Sequence, residues 1–131
     1  MTGVSGVRGV FADTLNPITA IKYAAHFAFL QKQSYPDRKP IIIVGRDSRT
    51  TGKAMLHSII SALISMGCDV TDLGIVSTPT LLLKVQESDA LGGIAITASH
   101  NPPEWNAMKF VDADGMFLTP EKAEKFLYGN R

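Results

Sequence analysis

The stretch "IIIVGRDSRTTGKAMLHSIISALISMG", residues 41 to 67, contains the pattern that decides the fold. It opens with "IIIVG", a short β-branched run typical of a strand that is buried on both faces. From Thr51 to Met66 apolar residues recur at helical spacing, and Gly67 is a common helix end. The predicted buried stripe of this helix comprises Met55, Leu56, Ile59, Ile60, Leu63 and Ile64. The stretch therefore predicts a central parallel strand followed by an amphipathic helix.

A second helix is predicted upstream of this unit. Asn16 has the character of an N-cap and Pro17 suits the first helical position, so the helix is expected to run to about Gln33. Its predicted apolar stripe consists of Ile18, Ile21, Ala25, Ala28 and Phe29.

Strand and helix signals continue to alternate downstream. "CDVTDLG" at 68–74 and "LGGIAIT" at 91–97 are predicted strands, the second with glycines that permit close packing, and Thr78-Pro79 begins a short helix between them. Asp-Gly within residues 107–118 predicts a hairpin, and Thr119-Pro120 predicts a last helix that is closed by Gly129. Alternating elements of this kind favour a three-layer α/β/α sandwich with a mostly parallel mixed sheet and a C-terminal hairpin.

Composition limits the classes of protein to consider. The 131 residues are 45% hydrophobic and 19% charged, and no linker or repeat divides them, so residues 1–131 are predicted to form one domain. The formal charge of +1 gives no reason to expect nucleic acid or a membrane surface as a partner. A lone cysteine, Cys68, and the lack of a signal or membrane-spanning pattern predict a reducing, cytoplasmic setting.

Three polar stretches are candidates for chemistry: "SGVRG" at 5–9, "GRDSRTTG" at 45–52 and "TASHNPPEWN" at 97–106. In an open α/β sheet, ligands bind beyond the carboxyl ends of the strands, where all three stretches are predicted to fall. The second stretch is not a phosphate-binding P-loop, because six residues rather than four separate Gly45 from Gly52 and Ala54 replaces the required hydroxyl residue. Without a G-x-S-x-G elbow, Ser99 is a better carrier of a phosphoryl group than a hydrolase nucleophile.

The chain resembles the N-terminal domain of the α-D-phosphohexomutases, the phosphoglucomutase and phosphomannomutase group, over essentially all of its length. The resemblance rests on "SGVRG" at 5–9, "GRDSR" at 45–49 and "TASHNPPEWNAMKF" at 97–110. The last of these is the most specific, since it resembles the family's active-serine loop throughout.

The resemblance implies an isomerase in which Ser99 carries a phosphoryl group and exchanges it with a hexose phosphate through a hexose bisphosphate intermediate. It implies that Lys109 acts as an acid/base group or charge stabiliser, with His100 beside the serine and Arg8 facing the same site. The residues expected to support phosphate binding are Ser5, Asp47, Arg49 and Asn101.

The resemblance also implies Mg²⁺ in the complete enzyme, bound by a phosphoryl oxygen on Ser99 and by three aspartates of a later domain. Those aspartates are not in this chain, and "DADG" at 112–115 is predicted to be a turn rather than a metal loop. The implied partners are therefore hexose phosphate, hexose bisphosphate and the remaining domains of the same polypeptide. Alone, the domain is expected to be inactive or nearly so.

Two alternatives from other classes remain. The domain could be a stand-alone module that binds a sugar phosphate or another anion without turnover. The least favoured alternative is a serine hydrolase, for which Ser99 and His100 would have to pair although they are adjacent in sequence.

Overall fold

The computed structural model describes residues 6–7, 17–47, 50–98 and 106–128. Strands and helices alternate along most of the chain, as the sequence predicts. In chain order the elements are β1 (Gly6–Val7), α1 (Pro17–Ser34), β2 (Ile41–Arg46), α2 (Thr50–Ser65), β3 (Asp69–Ile75), α3 (Thr78–Gln86), β4 (Gly92–Ala98), β5 (Asn106–Asp112) and α4 (Pro120–Tyr128).

The five strands form one mixed sheet in the order β1-β5-β4-β2-β3. Strand β2 lies at the centre of the parallel part, between β3 and β4. Strand β5 is antiparallel to β4 along its whole length, from the pair Gly92 and Asp112 to the pair Ala98 and Asn106, and antiparallel to β1 on its other side. The mixed α/β sheet is thus confirmed, and its antiparallel part comes from β5 and β1.

The sheet is covered on both faces, because successive side chains of a strand point to opposite sides. Ile42 and Val44 of β2 belong to a buried cluster with residues of α1, α2 and α4. Ile43, between them, belongs to a smaller cluster with Leu81 and Val85 of α3. The predicted α/β/α sandwich is therefore confirmed, with three helices on one face and one on the other.

The predicted buried face of α1 is wrong in most of its positions. Ile18 is 73% exposed and Phe29 is 50% exposed, whereas Ala28 alone of the predicted stripe is fully buried. The fully buried positions are Ala20, Ala24, Phe27, Ala28 and Gln31. Three alanines let this helix lie close to the sheet, and the Phe27 ring stacks at a tilt on Phe110, with centroids 5.1 Å apart. On α2 the predicted stripe is mostly correct, although Ile64 is 59% exposed.

The glycines that open β4 allow close packing, as predicted. A Cβ atom on Gly93 would lie 2.9 Å from both the Ile43 carbonyl oxygen and Val85 Cγ2. A Cβ atom on Gly92 would collide with the carbonyl oxygen of Val111 on β5. Contacts this short leave no room for a side chain at either position.

The Asp-Gly turn is present, but its hairpin is minimal. Gly115 has a φ of +82°, and its N–H donates to the Asp112 carbonyl at 3.0 Å. The strand that returns from the turn makes a single bridge, between Val111 and Phe117. The long antiparallel partner of β5 is β4, so residues 99–105 connect two paired strands.

The helix ends follow the capping signals closely. Ser77, one residue before the predicted Thr78, caps α3 by accepting a hydrogen bond from the Thr80 N–H at 3.3 Å. Thr119 accepts from the Lys122 N–H at 3.2 Å at the start of α4, and the predicted stop at Gly129 lies outside the described residues. Across the described ranges, no helix is both long and apolar enough to cross a membrane.

Candidate active site

Three strands point their carboxyl ends to the same edge of the sheet. Strands β2 and β4 are parallel, with Arg46 beside Ile96 near their ends. Strand β1 runs in the same direction as β4, because both are antiparallel to β5. The segments that begin with Arg8, Asp47 and Ser99 therefore leave the sheet at one edge, which we call the candidate edge. This is the position at which open α/β sheets bind ligands.

Asp47 links the loop after β2 to strand β4. Its N–H donates to the carbonyl oxygen of Ile96 at 3.0 Å, so the loop after β2 is fixed against the end of β4. Asp47 Oδ1 is 3.8 Å from the position that a Cβ atom on Gly52 would occupy, which places the carboxylate beside the first turn of α2. A helix N-terminus offers backbone N–H groups, so the same place suits an anion.

Arg46 is a cation at the candidate edge that the sequence analysis did not single out. It is half-buried, and its Nη1 donates to the Asp47 carbonyl oxygen at 3.0 Å. The signal that could have found it is its position as the last residue of β2, immediately before a predicted site residue.

Lys109 lies within β5, half-buried, with Ala95 on one side and Gly6 on the other. Its neighbours Met108 and Phe110 are buried under α1, α2 and α4, so by strand alternation Lys109 faces the side of α3. It is three positions from the start of β5, or about 10 Å along the strand from the candidate edge. The lysine stem must therefore run along the sheet for its ammonium group to reach that edge.

The remaining predicted site residues lie outside the described part of the chain: Ser5, Arg8, Arg49, Ser99, His100 and Asn101. Asp47 follows β2 and Lys109 lies on β5, so both belong to one sheet, but β4 separates their strands. The roles of all eight residues stay predictions.

The carboxylates of "DADG" are engaged in the fold. Asp112 pairs with Lys122 at 3.1 Å, and Asp114 Oδ1 accepts from the Met116 N–H at 2.9 Å. Asp112 also lies beside Gly92, at the end of β4 opposite to the candidate edge. Among the described residues no group of three or more His, Cys, Asp or Glu residues could hold a metal ion, so these residues by themselves do not fit a Mg²⁺ site.

A polar network of four residues lies at this opposite end, and the sequence analysis missed it. We call it the polar clasp: Gln31, Tyr35, Asp112 and Lys122. Asp112 Oδ1 accepts hydrogen bonds from Gln31 Nε2 at 3.0 Å and from the Tyr35 hydroxyl at 2.8 Å. Lys122 Nζ is 3.1 Å from each carboxylate oxygen. The clasp links α1, β5 and α4.

Two pKa values reflect this network. Burial alone would raise the pKa of the Asp112 carboxyl, but hydrogen bonds from Gln31, the Ala113 N–H, Tyr35 and Lys122 outweigh burial, and the pKa falls below its ordinary value. Burial, and then the bond to the Asp112 carboxylate and its negative charge, raise the pKa of Tyr35 to about 12. The clasp is therefore most stable with Asp112 charged and Tyr35 neutral.

The fold and the candidate edge define an α/β/α domain with a ligand site beyond the carboxyl ends of its strands. A sequence model of the family described as phosphoglucomutase/phosphomannomutase, alpha/beta/alpha domain I, matches residues 1–127. The chain belongs to this family.

Named relatives agree with this assignment. A phosphoglucomutase/phosphomannomutase from Thermococcus kodakarensis is 42% identical over 120 residues, which is 92% of this chain and 26% of that protein. A phosphoglucosamine mutase from Pediococcus pentosaceus is 40% identical over 120 residues, with 91% and 26% covered. The chain thus spans about a quarter of the length of these curated relatives.

Solved structures share the fold. A crystal structure from Thermus thermophilus, provisionally assigned as a phosphomannomutase, matches 96% of this chain and 28% of that chain at a TM-score of 0.83 and 31% identity. A phosphoglucomutase/phosphomannomutase family protein from Burkholderia thailandensis matches 98% of this chain and 31% of that chain at a TM-score of 0.76. At 23% identity, the second likeness concerns the fold alone.

Proposed function

We propose that this chain is the phosphoserine-bearing domain of a phosphohexomutase, which interconverts sugar 1-phosphates and 6-phosphates through a bisphosphorylated intermediate. The observation that carries the proposal is the common direction of β1, β2 and β4, which sends three polar segments from one edge of the sheet. In a chain of this family, the segment after β4 begins with Ser99.

The proposed reaction transfers a phosphoryl group between two oxygens of similar character. A sugar hydroxyl attacks phosphorus as the bond from phosphorus to Ser99 Oγ breaks, and the hydroxyl proton passes to a base while Ser99 Oγ regains a proton. The bisphosphorylated sugar then reorients and returns its other phosphoryl group to Ser99 by the reverse step. A serine phosphate ester is similar in energy to a sugar phosphate ester, so the exchange can run in either direction with little change in free energy.

Positive charge and alignment are what such a transfer requires, because charge spreads over the equatorial oxygens in the transition state. We assign this role to Arg8 and Lys109, with Lys109 or His100 as the acid/base group. Ser5, Asp47, Arg49 and Asn101 would support the phosphate and the geometry of the loops. Asp47 is suited to positioning, since it already fixes the loop after β2 to the end of β4.

For the complete protein we propose Mg²⁺, bound through a phosphoryl oxygen on Ser99 and by aspartates from outside this chain. The chain spans about a quarter of its curated relatives, so we assign sugar specificity and the metal ligands to the remaining domains. The substrate class is a hexose phosphate, and the isolated chain should show little or no turnover. The buried, unpaired thiol of Cys68 suits the proposed cytoplasmic setting.

The carrier role is tested by intact mass spectrometry after incubation with a hexose 1,6-bisphosphate, followed by mapping of the modified residue. We expect one phosphoryl adduct, lost in Ser99→Ala and kept in Ser61→Ala, which alters an exposed serine of α2. In the full-length protein, Ser99→Ala should abolish mutase turnover. An adduct that persists in Ser99→Ala would refute the assignment, and hexose phosphate binding without any adduct would favour the alternative of a binding module.

Lys109→Met in the full-length protein tests the proposed charge stabilisation. Loss of one positioned cation should slow phosphoryl transfer by about 100-fold or more, while Lys109→Arg should retain more activity. Thermal unfolding of both variants separates this effect from a loss of fold. An unchanged transfer rate in Lys109→Met would remove this residue from the site.

A further inference from the structure

A pocket of about 170 Å³ opens at the end of the domain opposite to the candidate edge. It is lined by Lys32, Tyr35, Pro36, Arg38, Pro40 and Leu91. Leu91 immediately precedes β4, whereas Ser99 immediately follows it, so about 20 Å of strand separates the two regions. The pocket therefore plays no part in the proposed phosphoryl transfer.

Two cations line this pocket without a carboxylate partner. Neither Lys32 nor Arg38 forms an ion pair with a carboxylate among the side chains that the structure describes. Lys32 Nζ donates to the Met66 carbonyl at 2.9 Å, and Arg38 Nη1 donates to the Ala90 carbonyl at 3.4 Å. Each side chain is thus positioned by one backbone acceptor and keeps further N–H groups for a ligand.

The surroundings do not cancel this positive charge. The Asp112 carboxylate of the polar clasp is matched by Lys122, and Tyr35 donates its hydroxyl hydrogen to that carboxylate. Asp37, Asp69 and Asp89 are exposed carboxylates at this end of the domain, but none of them forms an ion pair with Lys32 or Arg38. The Arg38 guanidinium carbon also lies 5.0 Å from the centre of the Tyr35 ring, which restrains it.

We propose that this pocket binds a small oxyanion, with inorganic phosphate or a compact phosphate ester as the chemical class. The volume is below the range of about 300 to 1,000 Å³ typical of pockets for larger organic ligands. Lys32 and Arg38 provide charge-assisted donors, and Leu91 with the two prolines forms the apolar wall. The proposal does not rest on the function of Ser99, because the two sites share no residue.

Inorganic phosphate is the probe that tests this site, with backbone amide shifts of the chain as the readout. We expect the amides of Arg38 and Leu91 to shift with saturation. Loss of a hydrogen bond between charged partners changes a binding constant by about tenfold or more, so Lys32→Met/Arg38→Met should weaken the binding measured at the Leu91 amide at least that far. Lys22→Met, which removes an exposed lysine from the same helix, should leave the affinity unchanged.

The position of the shifts decides the outcome even if the double variant fails to fold. Saturable shifts at Arg38 and Leu91 in the unmodified chain support the site, and sulfate should compete for it. Phosphate-induced shifts confined to the candidate edge, near Asp47 and Thr97, would overturn the proposal. An unchanged affinity at the Leu91 amide in the folded double variant would overturn it as well.

Discussion

Asp112 is the residue on which the polar clasp depends. Its carboxylate accepts hydrogen bonds from α1, from the residue after α1 and from α4, and it is 15% exposed, against 18% for the Lys122 side chain. Its lowered pKa means that the folded state favours the charged carboxylate. The stabilisation that Asp112 contributes is therefore present above the pKa of the unfolded state, about 4, and is lost as the pH falls through the folded pKa.

Lys122→Met should destabilise the domain because it leaves the Asp112 carboxylate without its cation. We expect a loss of about 1 to 3 kcal/mol in the free energy of unfolding, measured by urea denaturation. Lys22→Met, at an exposed position of α1, is the matched control and should change stability by less than about 0.5 kcal/mol. The double variant Lys122→Met/Asp112→Asn should cost less than the two single changes added together. Equal effects of Lys122→Met and Lys22→Met would show that the clasp contributes nothing.

Tyr35 gives the clasp a dependence on alkaline pH. Its folded pKa of about 12 exceeds the ordinary value of 10.0, so the folded state favours the neutral phenol. This contribution is fully present below pH 10 and is lost as the pH rises toward 12. Tyr35→Phe should be less stable than the unmodified chain at neutral pH, and the difference should shrink over this interval. A difference that is constant with pH, in urea titrations at several pH values, would contradict the assignment.

The turn that follows β5 packs closely against α3 because residue 115 is a glycine and has no side chain. Gly115 and Gly74 both have positive φ, of 82° and 71°, but a Cβ atom on Gly115 would lie 2.6 Å from Gln86 Cβ and 2.9 Å from the Leu82 carbonyl oxygen. At Gly74 nothing lies within 4 Å of such an atom. An alanine would therefore be similarly strained in its backbone at either position, but it would also clash with α3 only at Gly115.

This pair separates backbone strain from packing between elements. Gly74→Ala should cost about 1 to 2 kcal/mol, the strain of a left-handed residue. Gly115→Ala should cost more, about 3 kcal/mol or above, because the turn must also move away from α3. Urea denaturation of the two variants measures the difference. Equal losses would mean that the turn and α3 are not packed as the structure has them.

Helix α1 shows how far the sequence could predict an element. Asn16-Pro17 and the run to Gln33 predicted its bounds, because capping and propensity are local properties. Its buried face could not be predicted in this way, since the sheet selects small residues for close approach while Ile18 and Phe29 remain exposed. A prediction that places the largest apolar residues of α1 in the core therefore selects the wrong face of this helix.

The candidate site was predictable to a different extent. Motifs predicted three polar segments, and of their residues the structure describes Asp47 in the loop after β2 and Lys109 within β5. The roles of these residues stay predictions. The clasp had no such signal, because Gln31 and Asp112 are 81 residues apart and their meeting depends on the complete fold. Long-range pairs of polar residues leave no periodic pattern in a sequence.

The whole molecule divides its polar chemistry between the two ends of one sheet. The carboxyl ends of β1, β2 and β4 lead to the proposed phosphoryl transfer, while the amino end of β4 adjoins the clasp and the proposed oxyanion pocket. Strand β4 has seven residues, so about 20 Å separates these ends. Charges at that distance are largely screened, because the Debye length is about 8 Å at physiological ionic strength.

A charge placed at position 99 should therefore change the amide shifts at the candidate edge and leave those at the opposite end of the sheet unchanged. Ser99→Asp and Ser99→Asn have side chains of almost the same shape and differ by one negative charge, so their amide spectra isolate the electrostatic effect. We expect the two spectra to differ at Asp47 and Thr97, and to coincide at Leu91 and Asp112. Differences of similar size at both ends would mean that the sheet transmits a change of charge along its whole length, and the two ends could then no longer be treated as independent sites.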